Sequence, residues 1–185
     1  MAQSKYIKSV QDAAKGRPKS TAWYQDKIKE FGKPGAQDLI RDGKRSSAPF
    51  YGRLNMFFYN PKHKKTLPYY DTFPLVLPLE SYSDGFLGIN FHYLPIPLRI
   101  RLLDSVVDFS NNTKFDETTI IQADYARLKN INLVKPTLHR YLAGQTKSDF
   151  RRIDADEFTV ATLLPVQRFK KASAREVWKD SRGML

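Results

Sequence analysis

The sequence predicts an α+β fold, in which a small antiparallel β-sheet is covered by several short helices. Short apolar and aromatic runs with the alternation of strands lie between residues 53 and 94. The dipeptide Asp84-Gly85, a strong hairpin signal, separates two of these runs. Segments with helical spacing follow from residue 97 onward. This order of strands first and helices afterwards argues against a doubly wound parallel fold.

Residues 1–50 are predicted to form an extended, basic N-terminal arm with short helices, followed by a single α+β domain over residues 51–185. Glycines and prolines divide the arm into pieces such as "STAWYQDKIKEFG" and "GAQDLIRDG". Helices this short are marginal alone in water, so they need a surface to dock on.

About three strands are expected between residues 53 and 94, close to the minimum for an independent sheet. The first is "RLNMFFYN". The second, "FPLVLPLESYS", contains Pro74 and Pro78, which cannot donate ladder hydrogen bonds, so it is predicted to be an edge strand or a bulged one. The third, "GFLGINFHYL", alternates apolar and polar positions after the turn at residues 84–85.

Helices are predicted between residues 97 and 182. "PLRIRLLDSVVDF" has a broad apolar stripe and begins with a proline, which suits the first helical position. A second helix is expected near Asp116, and "PTLHRYLAG" is predicted to form a short third helix. Two capping-box patterns, Asp154 to Glu157 and Ser173 to Glu176, mark further helix starts.

Composition and charge exclude several classes of protein. The chain has no cysteine, which rules out disulfides and thiolate metal sites. It has no apolar run of the roughly 18 residues that a membrane helix needs, and residues 1–20 lack a secretory signal pattern. The formal net charge is +12, and the basic excess lies mainly in residues 1–50 and 111–185. Such an excess favours nucleic acid or an acidic protein surface as partner.

No catalytic motif is present, so the protein is predicted not to be an enzyme and to need no cofactor or metal. The three histidines, His63, His92 and His139, are far apart in the sequence and show no metal-ligand spacing. Phosphate-loop, dinucleotide-binding and nucleophile-elbow patterns are absent.

A loose set of carboxylates, Asp71, Glu80 and Asp84, raises a nuclease hypothesis, but it lacks the tight Glu-x-Lys element that would give it weight. Asp71 is instead expected to accept hydrogen bonds from backbone amides near a turn or strand end, and Asp84 to form a turn.

Basic and aromatic residues are interleaved in "RLNMFFYNPKHKKTLPYY" and in two later clusters, a mixture typical of surfaces that stack nucleic-acid bases. The alternative is a buried strand followed by solvated lysines. The candidates for electrostatic contacts are Lys62, Lys64, Lys65, Arg151, Arg152, Lys170 and Lys171.

The chain also has more aromatic residues than a small domain readily buries: 12 Phe, 10 Tyr and 2 Trp. Aromatic residues on proline-braced segments are typical of protein–protein interfaces. The interface candidates are Trp23, Tyr24, Phe31, Tyr51, Tyr69, Tyr70, Phe73 and Tyr82.

Three segments resemble a family of small proteins encoded by large tailed bacteriophages, T4-like cyanophages among them: "YGRLNMFFYNPKHKKTLPYYDTFPLVLPLE", "GFLGINFHYLPIPLRIRLLD" and "LLPVQRFKKASAREVWKDSR". The resemblance extends from about Tyr51 to Arg182. It implies a virion component of the tail or baseplate, made in the host cytoplasm, and it supplies no catalytic residues.

The function predicted from these observations is that of a non-enzymatic structural subunit of the phage tail or baseplate. Its expected partners are other virion proteins, in several copies of a symmetric assembly, without membrane insertion. The alternative is a DNA-binding virion protein at the neck or genome end, with nucleic acid as partner. A metal-dependent nuclease is the third hypothesis.

Overall fold

A computed structural model describes residue 26 and residues 44–107, 125–153, 161–162 and 166–185 of the chain. Within these ranges the strands have the following bounds: β1 Arg45–Ser46, β2 Leu54–Met56, β3 Tyr70–Asp71, β4 Leu75–Tyr82, β5 Gly85–Asn90, β6 Leu138–Leu142, β7 Phe150–Ile153 and β8 Phe169–Lys170. The α-helices there are α1 Ile96–Val107, α2 Tyr125–Leu128 and α3 Ala174–Gly183. Short 3-10 helices lie at Phe91–Tyr93, Asn132–Thr137 and Ala143–Gln145.

The main sheet has six strands in the order β1-β7-β2-β4-β5-β6, and all neighbours are antiparallel. The mixed helix-and-sheet class is therefore confirmed, but the prediction of about three strands is wrong. The strands that were missed are short, and β7 carries two arginines. Such segments have little of the apolar alternation from which strands are recognised.

The clearest error concerns β6, because "PTLHRYLAG" was predicted to be helical. Pro136 and Gly144 are good signals for the start and end of a helix, but Leu138–Leu142 between them is a strand. β6 pairs with β5 over five residues, from Gly85↔Leu142 to Ile89↔Leu138. Pairing with a distant strand outweighs the local signals, as tertiary context often does.

The β4–β5 hairpin confirms the turn signal at Asp84-Gly85, with Tyr82 paired to Gly85 across it. The register shifts between Pro78 and Glu80, so the predicted bulge is confirmed. The edge position is wrong, because β4 lies between β2 and β5. β2 pairs with β4 only at Leu75 and Val76, so Pro78 lies beyond the part of β4 that β2 covers.

The sheet separates two clusters of buried side chains, because neighbouring residues along β4 belong to different clusters. The larger one includes Leu75 and Leu77 of β4 and the buried stripe of α1, Ile100, Leu102, Leu103 and Val106. The stripe predicted for this helix is therefore confirmed over the residues described, while Phe109 and the helix starts predicted at Asp116 and Asp154 lie outside them. The smaller cluster is mainly aromatic and consists of Phe57, Tyr59, Val76, Phe86, Tyr141 and Phe150.

A second, two-stranded sheet joins parts of the chain about a hundred residues apart, with Tyr70 paired to Lys170 and Asp71 to Phe169. α3 follows β8, and the capping box predicted at its start is confirmed: the Ser173 hydroxyl accepts from the Glu176 amide, and the Glu176 carboxylate accepts from the Ser173 amide.

β1 lies within residues 1–50 and belongs to the main sheet, while the rest of that segment, apart from residues 26, 44 and 47–50, is outside the described residues. The boundary between arm and domain stays a prediction. None of the helices in the described ranges is long and apolar enough to cross a bilayer.

Candidate nucleic-acid interface

A cavity of about 560 Å³ opens beside the small sheet, between the segment 59–71, strand β6 and the end of α3. Five tyrosines from four segments line it: Tyr59, Tyr69, Tyr70, Tyr93 and Tyr141. We call this cavity the tyrosine groove. Its lining also contains four basic side chains, Lys62, His63, His139 and Arg140, and one carboxylate, Asp71.

Asp71 forms part of the inner wall of the groove and has all its polar atoms engaged. One carboxylate oxygen accepts from the backbone amides of Phe73 and Arg168, both at 3.0 Å. The other oxygen lies 2.7 Å from Nδ1 of His92 and 3.4 Å from the side-chain amide nitrogen of Asn90. The prediction that Asp71 accepts from backbone amides is confirmed. The carboxylate is only 4% exposed, so it faces the protein interior rather than solvent. Through its partners it connects β3 with β5 and with the segment that leads into β8.

The charge of Asp71 is balanced within the core. Burial by itself would raise the pKa of the Asp71 carboxyl, but His92 and the two amide donors hold that pKa below its usual range. Burial lowers the pKa of His92, so the imidazole is neutral at pH 7 and donates to Asp71. Nearby, burial lowers the pKa of the Arg99 guanidinium to about 9, so its charge persists at neutral pH. The buried charges of Asp71 and Arg99 have opposite signs and interact electrostatically, which offsets part of the cost of burying each.

Arg99 and Trp178 connect α1 and α3 to this buried region. Nε of Arg99 donates to the Leu94 carbonyl at 2.7 Å, and its NH2 group donates to Gln167 at 3.1 Å. Nε1 of Trp178 donates to the His92 carbonyl at 2.9 Å, while its ring lies 5.5 Å from the guanidinium. α3, which contributes Ser181 to the lining of the groove, is therefore anchored directly to the residues at the base of the groove.

Most tyrosine rings of the groove are held by neighbours. Tyr93 lies 3.9 Å from His139 and 6.0 Å from Tyr69 between ring centroids. Tyr59 contacts Tyr141 at 5.0 Å, and its hydroxyl accepts from the Leu142 amide at 3.1 Å. Burial and the adjacent Asp180 carboxylate raise the pKa of Tyr69, which keeps that phenol neutral.

Tyr70 differs from these rings. Its side chain is half-buried, lines the groove, and makes no ring contact or side-chain hydrogen bond to any part of the chain that the structure describes. A ring in this situation is open to stacking by a planar ligand.

His139, on β6, was missed as a candidate for the groove. Burial lowers its pKa to about 4, against the opposing effect of a hydrogen bond to the Pro136 backbone. The imidazole is therefore neutral at pH 7. Its Nε2 has no hydrogen-bond partner among the described residues, so Nδ1 is the nitrogen that donates to Pro136.

The structure brings Lys171 to the turn that carries Lys62, Lys64 and Lys65, and Lys62 of this turn lines the groove. Lys62, Lys64 and Lys65 lie exposed on the turn that follows Pro61, and the amides of Thr66 and Leu67 close this turn by donating to the His63 carbonyl. Lys171 donates from Nζ to the carbonyls of Lys65, at 2.9 Å, and Leu67, at 2.7 Å. We call Lys62, Lys64 and Lys65 the lysine turn, and Lys171 fixes its position next to β8.

The other candidates lie elsewhere. Arg151 and Arg152 are on β7, next to the edge strand β1 and four strands away from β6, and Arg151 is paired with Arg45 across the strands. Tyr51 is exposed, at 42%, and Tyr82 is also exposed, with its ring 4.1 Å from the Arg140 guanidinium.

Phe73 was predicted to lie at an interface, but its side chain is buried in the larger core cluster of this chain. The Phe73 backbone amide donates to Asp71, and its ring centroid lies 4.7 Å from that of Phe58. Trp23, Tyr24 and Phe31 lie outside the described residues.

The carboxylates of the nuclease hypothesis are engaged separately. Asp84 pairs with Arg140, Glu80 accepts from the Tyr82 hydroxyl at 2.7 Å, and Asp71 is bound as described above. In the residues that the structure describes, no group of three or more His, Asp or Glu side chains is placed to hold a metal ion.

A family model described as Phage T4 terminal DNA protecting protein matches residues 3–181. No curated protein and no solved structure matches the chain.

Proposed function

We propose that this chain, which belongs to the phage T4 terminal DNA protecting protein family, binds the ends of linear DNA and shields them. The observation that carries the proposal is the juxtaposition of the lysine turn and the tyrosine groove in a chain of net charge +12. Of the functions considered from the sequence, the DNA-binding virion protein is thus favoured over the tail or baseplate subunit.

The lysine turn supplies the electrostatic part of this binding. Lys62, Lys64 and Lys65 are exposed, and the backbone of the turn is fixed by its own hydrogen bonds and by Lys171. Exposed lysines that neutralise phosphates release condensed counterions, which drives association and makes it sensitive to salt. The groove beside them gives the protein a place to hold the terminal nucleotides rather than the continuous backbone.

Protection in this proposal is steric and requires no covalent chemistry. A protein seated over a DNA end occupies the position that an exonuclease must reach. The protein is accordingly proposed to be non-enzymatic and to act in the phage particle or on its DNA. A place in the tail or baseplate stays a prediction from the resemblance of its sequence.

The test compares DNA ends with DNA lacking ends. Fluorescence anisotropy with a labelled linear duplex, competed by the same sequence as a covalently closed circle, measures end preference. Digestion by a processive exonuclease, with and without the protein, measures protection. We expect the linear duplex to bind more tightly and to survive longer with the protein.

Two matched double variants locate the site. Lys64→Ala/Lys65→Ala removes two charges of the lysine turn, and Lys44→Ala/Lys129→Ala removes two exposed lysines elsewhere. The first should weaken binding and reduce the slope of log K against log salt by roughly 2, since each lost phosphate contact contributes about 0.9. Equal effects of both variants would show that general charge, not this site, binds DNA. Equal affinity for linear and circular DNA would refute end binding.

A further inference from the structure

The geometry of the tyrosine groove points to a more specific ligand: we infer that the groove takes a single unpaired nucleotide at the DNA terminus, with its base between the tyrosines. The protein then prefers ends with a short single-stranded overhang to blunt ends. This inference rests on the proposed function and names the part of the DNA that the groove recognises.

The size of the groove suits one nucleotide. Its volume, about 560 Å³, lies within the range of about 300–1,000 Å³ that is typical of sites for small ligands. A cavity of these dimensions encloses a base and sugar but not the side of a double helix. To reach it, a base must be unpaired, and the terminal nucleotide of an overhang is already free of a pairing partner, so it avoids the cost of unpairing.

The rings are arranged for stacking. Tyr69 and Tyr93 are held in place by each other, by His139 and by Asp180. Tyr70 is the ring that no described residue stacks against or hydrogen-bonds. A base can stack on an aromatic ring that is held in place and has one face uncovered. Such stacking does not depend strongly on which base is present.

The charges place the base inside and the phosphate outside. Lys62 and His63 line the groove and are exposed, on the side of the lysine turn. Asp71, which is ionised and buried in the inner wall, carries a negative charge that disfavours a phosphate at the inner end of the groove. A neutral base meets no such repulsion, and its phosphate remains beside Lys62. This polarity fits a nucleotide better than a free anion.

The wall at β6 adds a hydrogen-bonding atom. Nδ1 of His139 donates to the Pro136 backbone, which leaves Nε2 as an acceptor without a partner in the described residues. Because Nε2 is buried, the exocyclic amino group of a base can donate to it only when the His139 ring moves toward the groove. Buried acceptors are rarely left unpaired in proteins, so this atom is a second, independent indication of a ligand.

The experiment uses the full chain and four duplexes of one sequence, with blunt ends or with one, two or three unpaired nucleotides. 2-Aminopurine replaces the terminal base in a parallel set. We expect overhangs to bind about tenfold more tightly than blunt ends, since stacking of one base gives an effect of this order. We also expect the 2-aminopurine fluorescence to be quenched on binding.

Three variants of Tyr70 separate stacking from structure. Tyr70→Phe keeps the ring and should keep the preference for overhangs, while Tyr70→Ala and Tyr70→Leu should abolish the preference and the quenching. Tyr51→Ala removes an exposed tyrosine outside the groove and should change neither. Binding of blunt ends by Tyr51→Ala should stay within about twofold of the unmodified protein, because both the lysine turn and the groove are intact.

Equal affinity of the unmodified protein for blunt and overhanging ends would overturn the inference and leave end binding standing. The same conclusion follows if Tyr70→Leu retains both the preference and the quenching. Failure to bind any DNA end would refute the proposed function itself.

Discussion

The carboxylate of Asp71 lies 2.7 Å from Nδ1 of His92, and both side chains are buried at the base of the tyrosine groove. The two residues are 21 positions apart, on β3 and in the 3-10 helix that follows β5. Because Asp71 also accepts from the amides of Phe73 and Arg168, one carboxylate joins three segments of the chain. Tyr70 and Tyr93, which line the groove, are the sequence neighbours of Asp71 and His92.

Asp71→Asn should therefore lower the free energy of unfolding by about 3 kcal/mol. The substitution keeps the size of the side chain but removes the negative charge that opposes Arg99, and breaking a buried ionic network typically costs this much. Urea denaturation followed by tryptophan fluorescence measures the change. Asp149→Asn, at an exposed aspartate, should stay within about 0.5 kcal/mol. A similar small loss for Asp71→Asn would show that the network contributes little.

The stability should fall as the pH falls from 7 to 4, and His139 should account for part of this. Its pKa is about 4 in the folded protein against an ordinary 6.5, so between these values the unfolded chain binds more protons. The contribution of His139 is complete above pH 6.5 and is lost as the pH decreases toward 4, in total by up to about 3 kcal/mol. His139→Gln cannot titrate, so its stability should depend less steeply on pH. An equal dependence of stability on pH in the unmodified protein and in His139→Gln would contradict this role of His139.

Gly85→Ala should destabilise the hairpin by about 2 kcal/mol or more. A Cβ at Gly85 would stand 1.9 Å from the Tyr141 carbonyl oxygen, so β5 and β6 would have to separate. Overpacking of this kind typically costs about 1–3 kcal/mol. Gly144→Ala is the control, because a Cβ there has no heavy atom within 4 Å. Thermal unfolding monitored by circular dichroism compares the two. Equal melting temperatures would mean that the strands adjust freely.

Ser173→Ala should cost about 1 kcal/mol, the usual effect of losing a helix N-cap. The Ser173 hydroxyl accepts from the Glu176 amide at 3.3 Å, and alanine leaves that amide without this acceptor. Ser173→Asp retains an acceptor and should be close to neutral. Chemical denaturation of the three proteins tests this, and an aspartate variant as unstable as the alanine variant would count against the capping role.

Local patterns predicted the elements whose cause is local. The apolar stripe of α1, the turn at Asp84-Gly85 and the capping box at Ser173 each depend on residues within a few positions of one another. The role of Asp71 was also predictable, because aspartates near turns commonly accept from amides. The lysines of the lysine turn were recognised from their place in a segment that interleaves basic and aromatic residues.

The groove was not predictable in the same way, because its walls come from segments that are distant in the sequence. Tyr141 and His139 lie in a segment with the signals of a short helix, and only pairing with β5 makes it a strand. In a strand, residues two positions apart lie on the same face of the sheet, whereas in a helix they do not share a face. Phe73 shows a different limit of local patterns. Its position beside a proline suggested an exposed side chain, but in the fold it is only 3% exposed.

By itself, the sequence determined the class of the fold, its main helix and hairpin, its basic charge and its phage family, because these follow from short-range spacing, composition and overall similarity. Only the tertiary structure decided that five tyrosines from separate segments meet around one cavity, with the lysine turn beside it. The physical reason is that contacts between distant segments depend on strand register and on buried partners such as Asp71 and His92. Neither the register nor the buried partners can be determined from a local stretch of residues.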